Sequence, residues 1–140
     1  MTDTTPTTTP TPVDPAELPS TVRAYLAAHD TRDVDAALAC CTDDAVVVDE
    51  GRTYRGQPEI AGWMRRSASE YTYTSALTGA VRIDGQRWIA TKHLEGDFPG
   101  GVVDLDFRFT LRGDHIAEEF KRILDDYVES HYPAAEAVLA

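Results

Sequence analysis

Residues 45–51, with the sequence AVVVDEG, place the firmest constraint on how this chain can fold. Three consecutive valines favour a β-strand, because β-branched side chains fit a pleated surface better than a helix. Side chains alternate along a strand, so Asp49 would share one face with Val47 and Ala45. An acid at the end of such a face either lies at the rim of the sheet, capping the turn at Gly51, or points into a pocket.

The length of 140 residues predicts one domain with a real core. A formal net charge of −11 argues against nucleic acids and anionic membranes as partners, since both require clustered Lys and Arg. An apolar small-molecule ligand suits the composition better. No apolar run approaches the roughly 20 residues of a membrane span, and the N-terminus lacks the basic start and apolar stretch of a secretion signal. We therefore expect a cytoplasmic protein.

The cysteines and histidines do not predict a metal or another cofactor. Cys40 and Cys41 are adjacent, and neighbours in sequence very rarely form a disulfide, so both are expected to be free thiols packed at a helix end. The four histidines show no pairing at the spacing of metal ligands. The expected chemistry is therefore independent of cofactors.

The N-terminal third of the chain is predicted to be a tail followed by two short helices. Residues 1–17 are rich in Thr, Pro and Asp and can bury little, which predicts a disordered tail. A domain then spans residues 18–123. Its first helix begins near Ser20, a good N-cap, and runs to about His29, and a second helix follows Asp33, another good N-cap.

A third helix and four strands complete the predicted domain. Residues 51–56 are expected to form a loop, after which Pro58 starts a helix whose apolar face includes Ile60 and Trp63. Residues 124–140 are expected to form a C-terminal helical extension. Glycine-containing turns separate four predicted antiparallel strands, over residues 71–83, 86–97, 101–112 and 115–123.

The third predicted strand alternates most clearly. Its opposite face, which includes Asp104, Asp106 and Arg108, is expected to be solvated or to meet a partner subunit. Helices segregated on one side of such a meander make an α+β fold. We expect a cone-shaped barrel, in which about three N-terminal helices pack on a curved, mostly antiparallel sheet and enclose a pocket. The side chains predicted to face the core or cavity are Val103, Leu105, Phe107, Phe109 and Leu111.

Several motifs resemble the SnoaL-like branch of the nuclear transport factor 2-like superfamily. They are AYLAAHDTRDVDAALACCTDDAVVVDEG, the helix start YRGQPEIAGW, the turn GDFPGG and the paired strands VDLDFRFTL and HIAEEFKRI. The resemblance covers nearly everything from Ser20 to Ile123. It implies the cone-shaped fold and a homodimer formed through the outer face of the sheet. It does not imply one activity, because this superfamily hosts many chemistries and many pure binding roles.

Within that superfamily the chain resembles the Δ5-3-ketosteroid isomerases, through AYLAAHDTRDVDA and DDAVVVD. In these enzymes an Asp base shuttles a proton beside a carbonyl, while a Tyr and a protonated Asp hold the developing oxyanion. The resemblance places Asp49 at the base, Tyr25 at the oxyanion Tyr and Trp63 in a wall of the pocket. Leu105 occupies the position of the protonated Asp, and Asp106, one residue away, would face the opposite side of the strand.

Two further side chains are candidates to complete the site. Glu118 shares a predicted strand face with Ile116 and Phe120, so it is either a second inward carboxylate or a solvated one at the rim. His93 would transfer protons near neutral pH if it faced inward, as the Asp–His pairs of related cyclases and dehydratases do. The alternation around His93 is ambiguous, because Trp88 lies on the alternate face and competes for the interior.

Apolar side chains are expected to line the pocket around these groups. A carboxylate in such surroundings has its pKa raised towards neutrality, where a general acid or base works best. His29, one turn after Tyr25, could join the site, but we expect it at an exposed helix end. The predicted substrate-binding residues are Trp63, Ile60, Trp88, Val103, Leu105, Phe107 and Phe120.

Two classes of function fit these observations. The first is a cofactor-independent isomerase, cyclase or dehydratase that acts on a small, apolar carbonyl compound, with Asp49 as general base. The second is a non-catalytic module for ligand binding or dimerisation. An epoxide hydrolase-like activity would require an inward arginine between two aspartates, and the patterns around Arg55, Arg82 and Arg87 do not place any of these arginines inward.

Overall fold

In the computed structural model, residues 10–49, 51–70 and 72–124 are described. They form three α-helices, a short 3-10 turn at Pro15–Glu17 and seven β-strands. The helices are α1 (Ser20–Thr31), α2 (Val34–Ala39) and α3 (Gly56–Glu70). The strands are β1 (Thr11–Val13), β2 (Cys41–Asp49), β3 (Arg52–Arg55), β4 (Tyr73–Arg82), β5 (Arg87–Gly96), β6 (Val102–Arg112) and β7 (His115–Leu124).

These strands make one sheet in the order β1-β4-β5-β6-β7-β2-β3. Every neighbouring pair is antiparallel except β2 and β7, which run parallel. Helix α1 contacts β7 and helix α3 contacts β2, so the helices cover one face of the sheet. The predicted α+β architecture, three helices on a mostly antiparallel sheet, is therefore confirmed.

Local contacts fix where the helices begin and end. The Asp33 carboxylate accepts a hydrogen bond from the backbone N–H of Ala36 at 3.1 Å, which caps α2 as predicted. Helix α1 ends at Arg32, whose backbone is left-handed with φ of 61°. At the start of α3, the backbone N–H of Arg55 donates to the Glu59 carboxylate at 2.8 Å. The hydrogen bonds satisfy backbone N–H groups that have no partner within the helix, and the left-handed residue ends α1.

Residues 51–56 do not form the predicted loop. Gly51 has a positive φ of 77°, and the chain turns back at once so that Asp49 pairs with Arg52. Glycine adopts this backbone without a steric penalty, which allows a very short hairpin. The resulting strand β3 lies at the edge of the sheet and holds Tyr54 beside α3.

Part of the predicted tail over residues 1–17 also has regular structure. Thr11–Val13 forms strand β1 on the edge of β4, and Pro15–Glu17 forms a turn capped by the Asp14 side chain. Val13 packs against the core, so this segment has an apolar contact and a strand partner that its composition did not predict.

Two predicted segments lie wholly or mostly outside the described residues. They are residues 1–9 of the N-terminal tail and the C-terminal extension over residues 124–140. Of the extension only Leu124 is described, as the last residue of β7. The helical character of that extension stays a prediction.

An irregularity in β7 decides which of its side chains face the helices. Ile116 and Glu118 pair with adjacent residues of β6, so Ala117 has no opposite residue there. One extra residue of this kind is a β-bulge, and it reverses the alternation of the residues that follow. Glu119 therefore shares the buried face with Ile116, whereas Glu118 and Phe120 face outward.

The core lies between the helices and the inner face of the sheet. Burying a large apolar side chain contributes about 1.5–3 kcal/mol to stability, whereas burying an unpaired carboxyl costs free energy. Glu119 is thus the exception among the largest fully buried side chains, which are Tyr25, Phe107, Phe109, Leu18, Ile60, Ile116, Glu119, Val22 and Val47.

The outer face of β6 is not uniformly the solvated surface that its alternation predicted. Asp104 is exposed, as expected, but Asp106 is only 7% exposed. The Asp106 carboxylate accepts hydrogen bonds from the Thr91 hydroxyl at 2.8 Å and from the Arg122 guanidinium at 3.1 Å. Charged groups are buried only when they are paired, and this pair meets that condition.

The two cysteines are free thiols, as predicted. Cys41 is buried and Cys40 is half-buried, at the junction of α2 and β2. Burial raises the pKa of Cys41 to about 12, so this thiol stays protonated at neutral pH. A protonated, buried thiol is a poor nucleophile, which agrees with a packing role.

Candidate active site

Asp49 is the last residue of β2, and its carboxylate is held by α3. The indole N–H of Trp63 donates a hydrogen bond to Oδ2 of Asp49 at 2.9 Å. Trp63 itself is buried and stacks on Tyr54, with ring centroids 5.9 Å apart. The indole therefore comes from a side chain with little freedom to move, and it fixes the orientation of a half-buried carboxylate.

Glu119 is a second inward carboxyl, and it is the one that sequence alternation missed. It lies on β7 opposite Val47 and Phe109 and is 1% exposed. Neither of its oxygens has a hydrogen-bond partner among the described residues. Burial raises the pKa of Glu119 to about 7, and the nearby charge of Asp49 acts in the same direction. This carboxyl can therefore hold a proton at a much higher pH than an ordinary glutamate.

Tyr25 lies next to Glu119 inside the core. Its ring meets Phe109 edge to face, with centroids 5.7 Å apart. Burial and the Glu119 carboxyl raise the pKa of Tyr25 well above its usual value, and the Tyr25 hydroxyl in turn lowers the pKa of Glu119. The hydroxyl makes no hydrogen bond of ordinary geometry with the described residues. Tyr25 is thus a protonated donor close to a buried acceptor.

His29 is not the exposed helix-end residue that the sequence predicted. Its ring packs against Tyr25, Trp63 and Phe107, with centroids 6.3, 6.0 and 6.0 Å away. Burial, with the positive charges of Lys121 and Lys92, lowers the pKa of His29 to about 3. The imidazole is therefore neutral at physiological pH and can exchange hydrogen bonds without carrying charge.

Lys121 is a second functional side chain that the sequence patterns did not identify. The bulge at Ala117 turns it inward, where it lies directly across from Asp49 on β2 and from Phe107 on β6. Its ammonium group sits over two aromatic rings, 5.8 Å from the centroid of Trp63 and 5.7 Å from that of Phe107. Aromatic faces attract cations at this distance.

Two neighbouring clefts open beside these groups. One has an apolar wall of Leu94, Leu105 and Phe107. The remaining side chains around it are His29, Asp30, Tyr73, Ser75, Lys92 and Lys121. The other shares His29 and Tyr73 with the first and is completed by Ala28, Arg32, Asp33, Val34 and Met64. We call the first of these the lysine cleft.

The proposed catalytic carboxyls are not among the side chains that line the two clefts. Asp49, Trp63, Tyr25 and Glu119 are absent from the residues that line either cleft. Two side chains that do line the lysine cleft contact members of this group. The His29 ring packs on Tyr25 and Trp63, and the Lys121 ammonium lies over Trp63.

Three predicted site residues face away from this region. His93 lies on the outer face, where its ring nitrogens bond to the carboxylates of Asp104 at 2.7 Å and Glu95 at 2.8 Å. Those bonds, chiefly the one to Glu95, raise the pKa of His93. Glu118 is exposed and Phe120 is half-buried on the outer face, because the bulge displaced both. Of the alternatives left open for His93 and Glu118, the structure therefore has the outward one, and the predicted pocket position of Phe120 is wrong.

The other predicted pocket residues do lie on the inner side. Leu105 and Phe107 line the lysine cleft, and Ile60 is buried in the core. Trp88 and Val103 are half-buried, and they pair with the inward residues Phe109 and Leu94. Leu105, at the position where ketosteroid isomerases have an acid, lies across from the buried Lys92.

Other kinds of site find little support in the described part of the chain. It has no group of three or more His, Cys, Asp or Glu side chains arranged to hold a metal ion. Arg55, Arg82 and Arg87, the candidates for an epoxide hydrolase cluster, are exposed on their strands. None of the helices in this part is long and apolar enough to cross a membrane.

Comparison with known proteins shows the family of this chain and solved structures of similar fold. Residues 22–136 match a family model described as a SnoaL-like domain. A proposed polyketide cyclase from Sinorhizobium meliloti is 28% identical, with a TM-score of 0.72 over 79% of this chain and 100% of that chain. A protein with a ketosteroid isomerase-like fold from Catenulispora acidiphila, in complex with trimethylamine, is 23% identical, with a TM-score of 0.66 over 74% and 85% of the two chains. No curated protein sequence matches at a significant level.

Proposed function

The chain belongs to the SnoaL-like domain family of the nuclear transport factor 2-like superfamily, and from that premise we propose that it is an acid–base enzyme of the isomerase or cyclase type. Its substrate would be a small, largely apolar carbonyl compound, and the reaction would use no cofactor. The supporting observation is a pair of inward carboxyls in different surroundings: Asp49 is held by an indole N–H, and Glu119 is buried beside the Tyr25 hydroxyl without a hydrogen bond of ordinary geometry. Environments that separate two titratable groups commonly assign the base and the acid.

Asp49 is the base in this proposal. Its carboxylate removes a proton from the carbon beside the substrate carbonyl, and the C–H electron pair forms the C=C bond of an enolate. Return of the proton to another atom completes an isomerisation, whereas attack of the enolate carbon on a second carbonyl closes a ring. The Trp63 N–H keeps the carboxylate in one orientation throughout.

Glu119 and Tyr25 are the acid side of the same site. With a pKa raised by burial to about 7, Glu119 can hold a proton at neutral pH as a neutral acid, while Asp49 alone takes up and returns the substrate proton. Tyr25 is fully buried and lines neither cleft, so its hydroxyl is better placed to steady Glu119 than to contact a substrate.

A pair of matched variants tests this function. Purified protein is incubated with a panel of carbonyl compounds, including a Δ5-3-ketosteroid and polyketide-like β-diketones, and the products are measured by mass spectrometry and ultraviolet absorbance. Replacing Asp49→Asn should slow conversion by roughly 10²–10⁴-fold, the range of general acid–base catalysis. Asp43→Asn removes the same charge from an exposed position on the same strand and should have no effect. Full activity of the Asp49 variant would contradict the proposal.

If the chain is instead a non-catalytic binding module, the opposite results are expected for turnover and for the Asp49 variant. The absence of Asp49 from the lining of both clefts favours the non-catalytic alternative, since a binding module needs no base in contact with its ligand. In that case a ligand found by thermal-shift screening would still bind to the Asp49→Ala variant, and the wild-type protein would leave every compound of the panel unchanged.

The outer face of the sheet is the proposed site of a homodimer. The described helices pack on the other face, and half-buried apolar side chains lie on the outer face of the central strands, among them Ile89, Val48 and Phe120. Introducing a charge with Phe120→Asp should therefore shift the protein from dimer to monomer. Sedimentation equilibrium measures the change, and a wild-type protein that is monomeric at all concentrations would rule the dimer out.

A further inference from the structure

The chain contains only two lysines, and both line the same cleft. Its 13 basic residues are otherwise all arginines, spread along the sequence. Lys92 on β5 and Lys121 on β7 are both part of the wall of the lysine cleft. In a chain with a formal net charge of −11, two ammonium groups around one cleft are a local reversal of sign. A cleft with that charge is suited to an anionic group of a ligand.

The two lysines differ in whether their charge is already neutralised. Lys92 is 3% exposed, and its ammonium group forms an ion pair with the Asp30 carboxylate. No carboxylate oxygen of the described residues lies within 4 Å of the Lys121 ammonium, which instead rests over the rings of Trp63 and Phe107. Lys121 is therefore the lysine whose charge is available to a ligand.

The groups that surround Lys121 leave its charge largely uncompensated. His29 is neutral, and burial keeps Glu119 partly protonated. Asp49 lies directly across from Lys121 on β2, but its carboxylate is bonded to the indole of Trp63. Asp49, and Glu119 when it is ionised, are thus the carboxyls near Lys121, and the Asp49 charge disappears when Asp49 accepts a proton.

We propose that the Lys121 ammonium group receives the oxygen of the enolate that Asp49 generates. This inference rests on the proposed acid–base function. In the step, the substrate C–H proton moves to an Asp49 oxygen, the C–H electron pair becomes the C=C bond, and the carbonyl π electrons move to oxygen. The negative charge passes from the carboxylate to the enolate oxygen, and Lys121 is the residue paired with Asp49 on the neighbouring strand. Preorganised charge of this kind is a major source of transition-state stabilisation.

A lysine suits this role better than an arginine would. Its charge is compact and sits on a flexible stem, so the ammonium can follow an oxygen while its methylenes stay in contact with the apolar wall. The apolar members of that wall are Leu94, Leu105 and Phe107. With Leu105 in place of the acid of ketosteroid isomerases, Lys121 supplies the stabilising group from the neighbouring strand.

The probe for this site is 4-nitrophenol, whose phenolate is a stable, coloured mimic of a planar enolate. Wild-type protein should bind the phenolate in preference to the phenol and so lower the apparent pKa of the probe, measured by absorbance titration. Lys121→Met should abolish that preference, and Lys121→Arg should restore part of it. Arg112→Gln removes one positive charge from an exposed site on β6 and serves as the control for net charge.

A second readout does not depend on affinity. Selective ¹⁵N-lysine labelling gives side-chain signals from two lysines only, and the Lys121 signal should shift more than the Lys92 signal when 4-nitrophenolate is added. Circular dichroism establishes that the variants remain folded. Phenolate binding that is absent from the wild type, or unchanged in Lys121→Met, would overturn the inference.

The Asp49→Asn variant separates this inference from the proposed function. It should still bind phenolate, because the base is not needed to hold an anion. If Asp49→Asn loses turnover while Lys121→Met binds phenolate normally, the enzyme function stands and the role of Lys121 is wrong. If phenolate binding depends on Lys121 but the wild type converts no carbonyl compound, the anion site stands and the enzyme function is wrong.

Discussion

A carboxyl that is buried without a partner makes the stability of this protein depend on pH. The pKa of Glu119 is raised from 4.5 to about 7, so the folded state binds its proton more tightly than the unfolded state does. The stability that this proton contributes is complete at pH values below 4.5 and is lost as the pH rises to about 7. The change in the free energy of unfolding is roughly 3 kcal/mol over that interval, since each pKa unit corresponds to about 1.4 kcal/mol.

Glu119→Gln should remove this loss. The amide cannot ionise, so the variant should become more stable than the wild type as the pH rises through neutrality, with a smaller difference in acid. Urea unfolding at a series of pH values measures both curves. Glu118→Gln, a neighbouring change at an exposed position, should follow the wild-type curve. Identical pH dependence in the Glu119 variant and the wild type would show that this carboxyl is not the source.

The bond from Trp63 to Asp49 should matter for rate more than for folding. Trp63→Phe keeps an aromatic ring that can stack on Tyr54 but removes the N–H that holds the carboxylate. A hydrogen bond to a charged group contributes about 1.5–3 kcal/mol, which corresponds to roughly 10–100-fold in rate. Steady-state kinetics with the best substrate of the panel should show a lower kcat with little change in KM. An unchanged kcat would mean that the indole does not position the base.

Side-chain identity alone could indicate some members of the site but not others. Asp49 was accessible to sequence reasoning because an acid ends a run of valines, and Trp63 because it lies on an apolar helix stripe. Glu119 and Lys121 could not be identified from the sequence, since strict alternation of side chains along the strand places Glu118 inward and these two residues outward or ambiguous. The bulge that reverses this choice depends on the pairing of β7 with β6, which a single sequence does not reveal.

At the level of whole elements, the start of β4 depends on a glycine in β5. A Cβ added at Gly96 would lie 2.5 Å from the Cβ and 2.8 Å from the Cα of Tyr73. Gly96→Ala should therefore force the two strands apart and destabilise the fold by about 1–3 kcal/mol, as overpacking commonly does. Because Tyr73 lines both clefts, the variant should also bind 4-nitrophenolate more weakly.

The control for this prediction is Gly85→Ala, in the turn between β4 and β5. No atom lies within 4 Å of the Cβ that this substitution would add, and Gly85 does not have a positive φ. Thermal unfolding should show a small change for Gly85→Ala and a clear loss for Gly96→Ala. Equal effects of the two substitutions would mean that contact with Tyr73 is not the cause.

The helices and strands whose own residues favour them were predictable from the sequence. The short strands that form only because the sheet offers them a partner were not. The long strands β4 to β7 combine β-branched residues with glycine turns, and α2 has a capping Asp33, so their positions are close to those expected. Strand β1 is only three residues long, and β3 only four. Segments this short become strands because an edge of the sheet offers them partners, which is a property of the folded molecule.

The whole molecule is strongly acidic, but one of its clefts is lined by both of its lysines. Its formal net charge of −11 predicts poor binding to polyanions. Both lysines nevertheless line one cleft. The overall architecture followed from the order of elements and from the motif resemblance, but the residues around the cleft come from α1, β4, β5, β6 and β7 together. Which residues meet at this cleft can be known only from the register of the strands in the folded sheet.

The central claim is that Asp49 removes a proton from a carbon beside a carbonyl, and hydrogen isotope exchange tests it most directly. A small cyclic ketone is incubated with the protein in D₂O, and loss of the α-proton signal is followed by NMR, which detects enolisation even where no net product forms. Our account predicts exchange catalysed by the wild type and by Asp43→Asn, and exchange reduced by at least about 10²-fold in Asp49→Asn. Equal exchange rates in wild type and Asp49→Asn would contradict it.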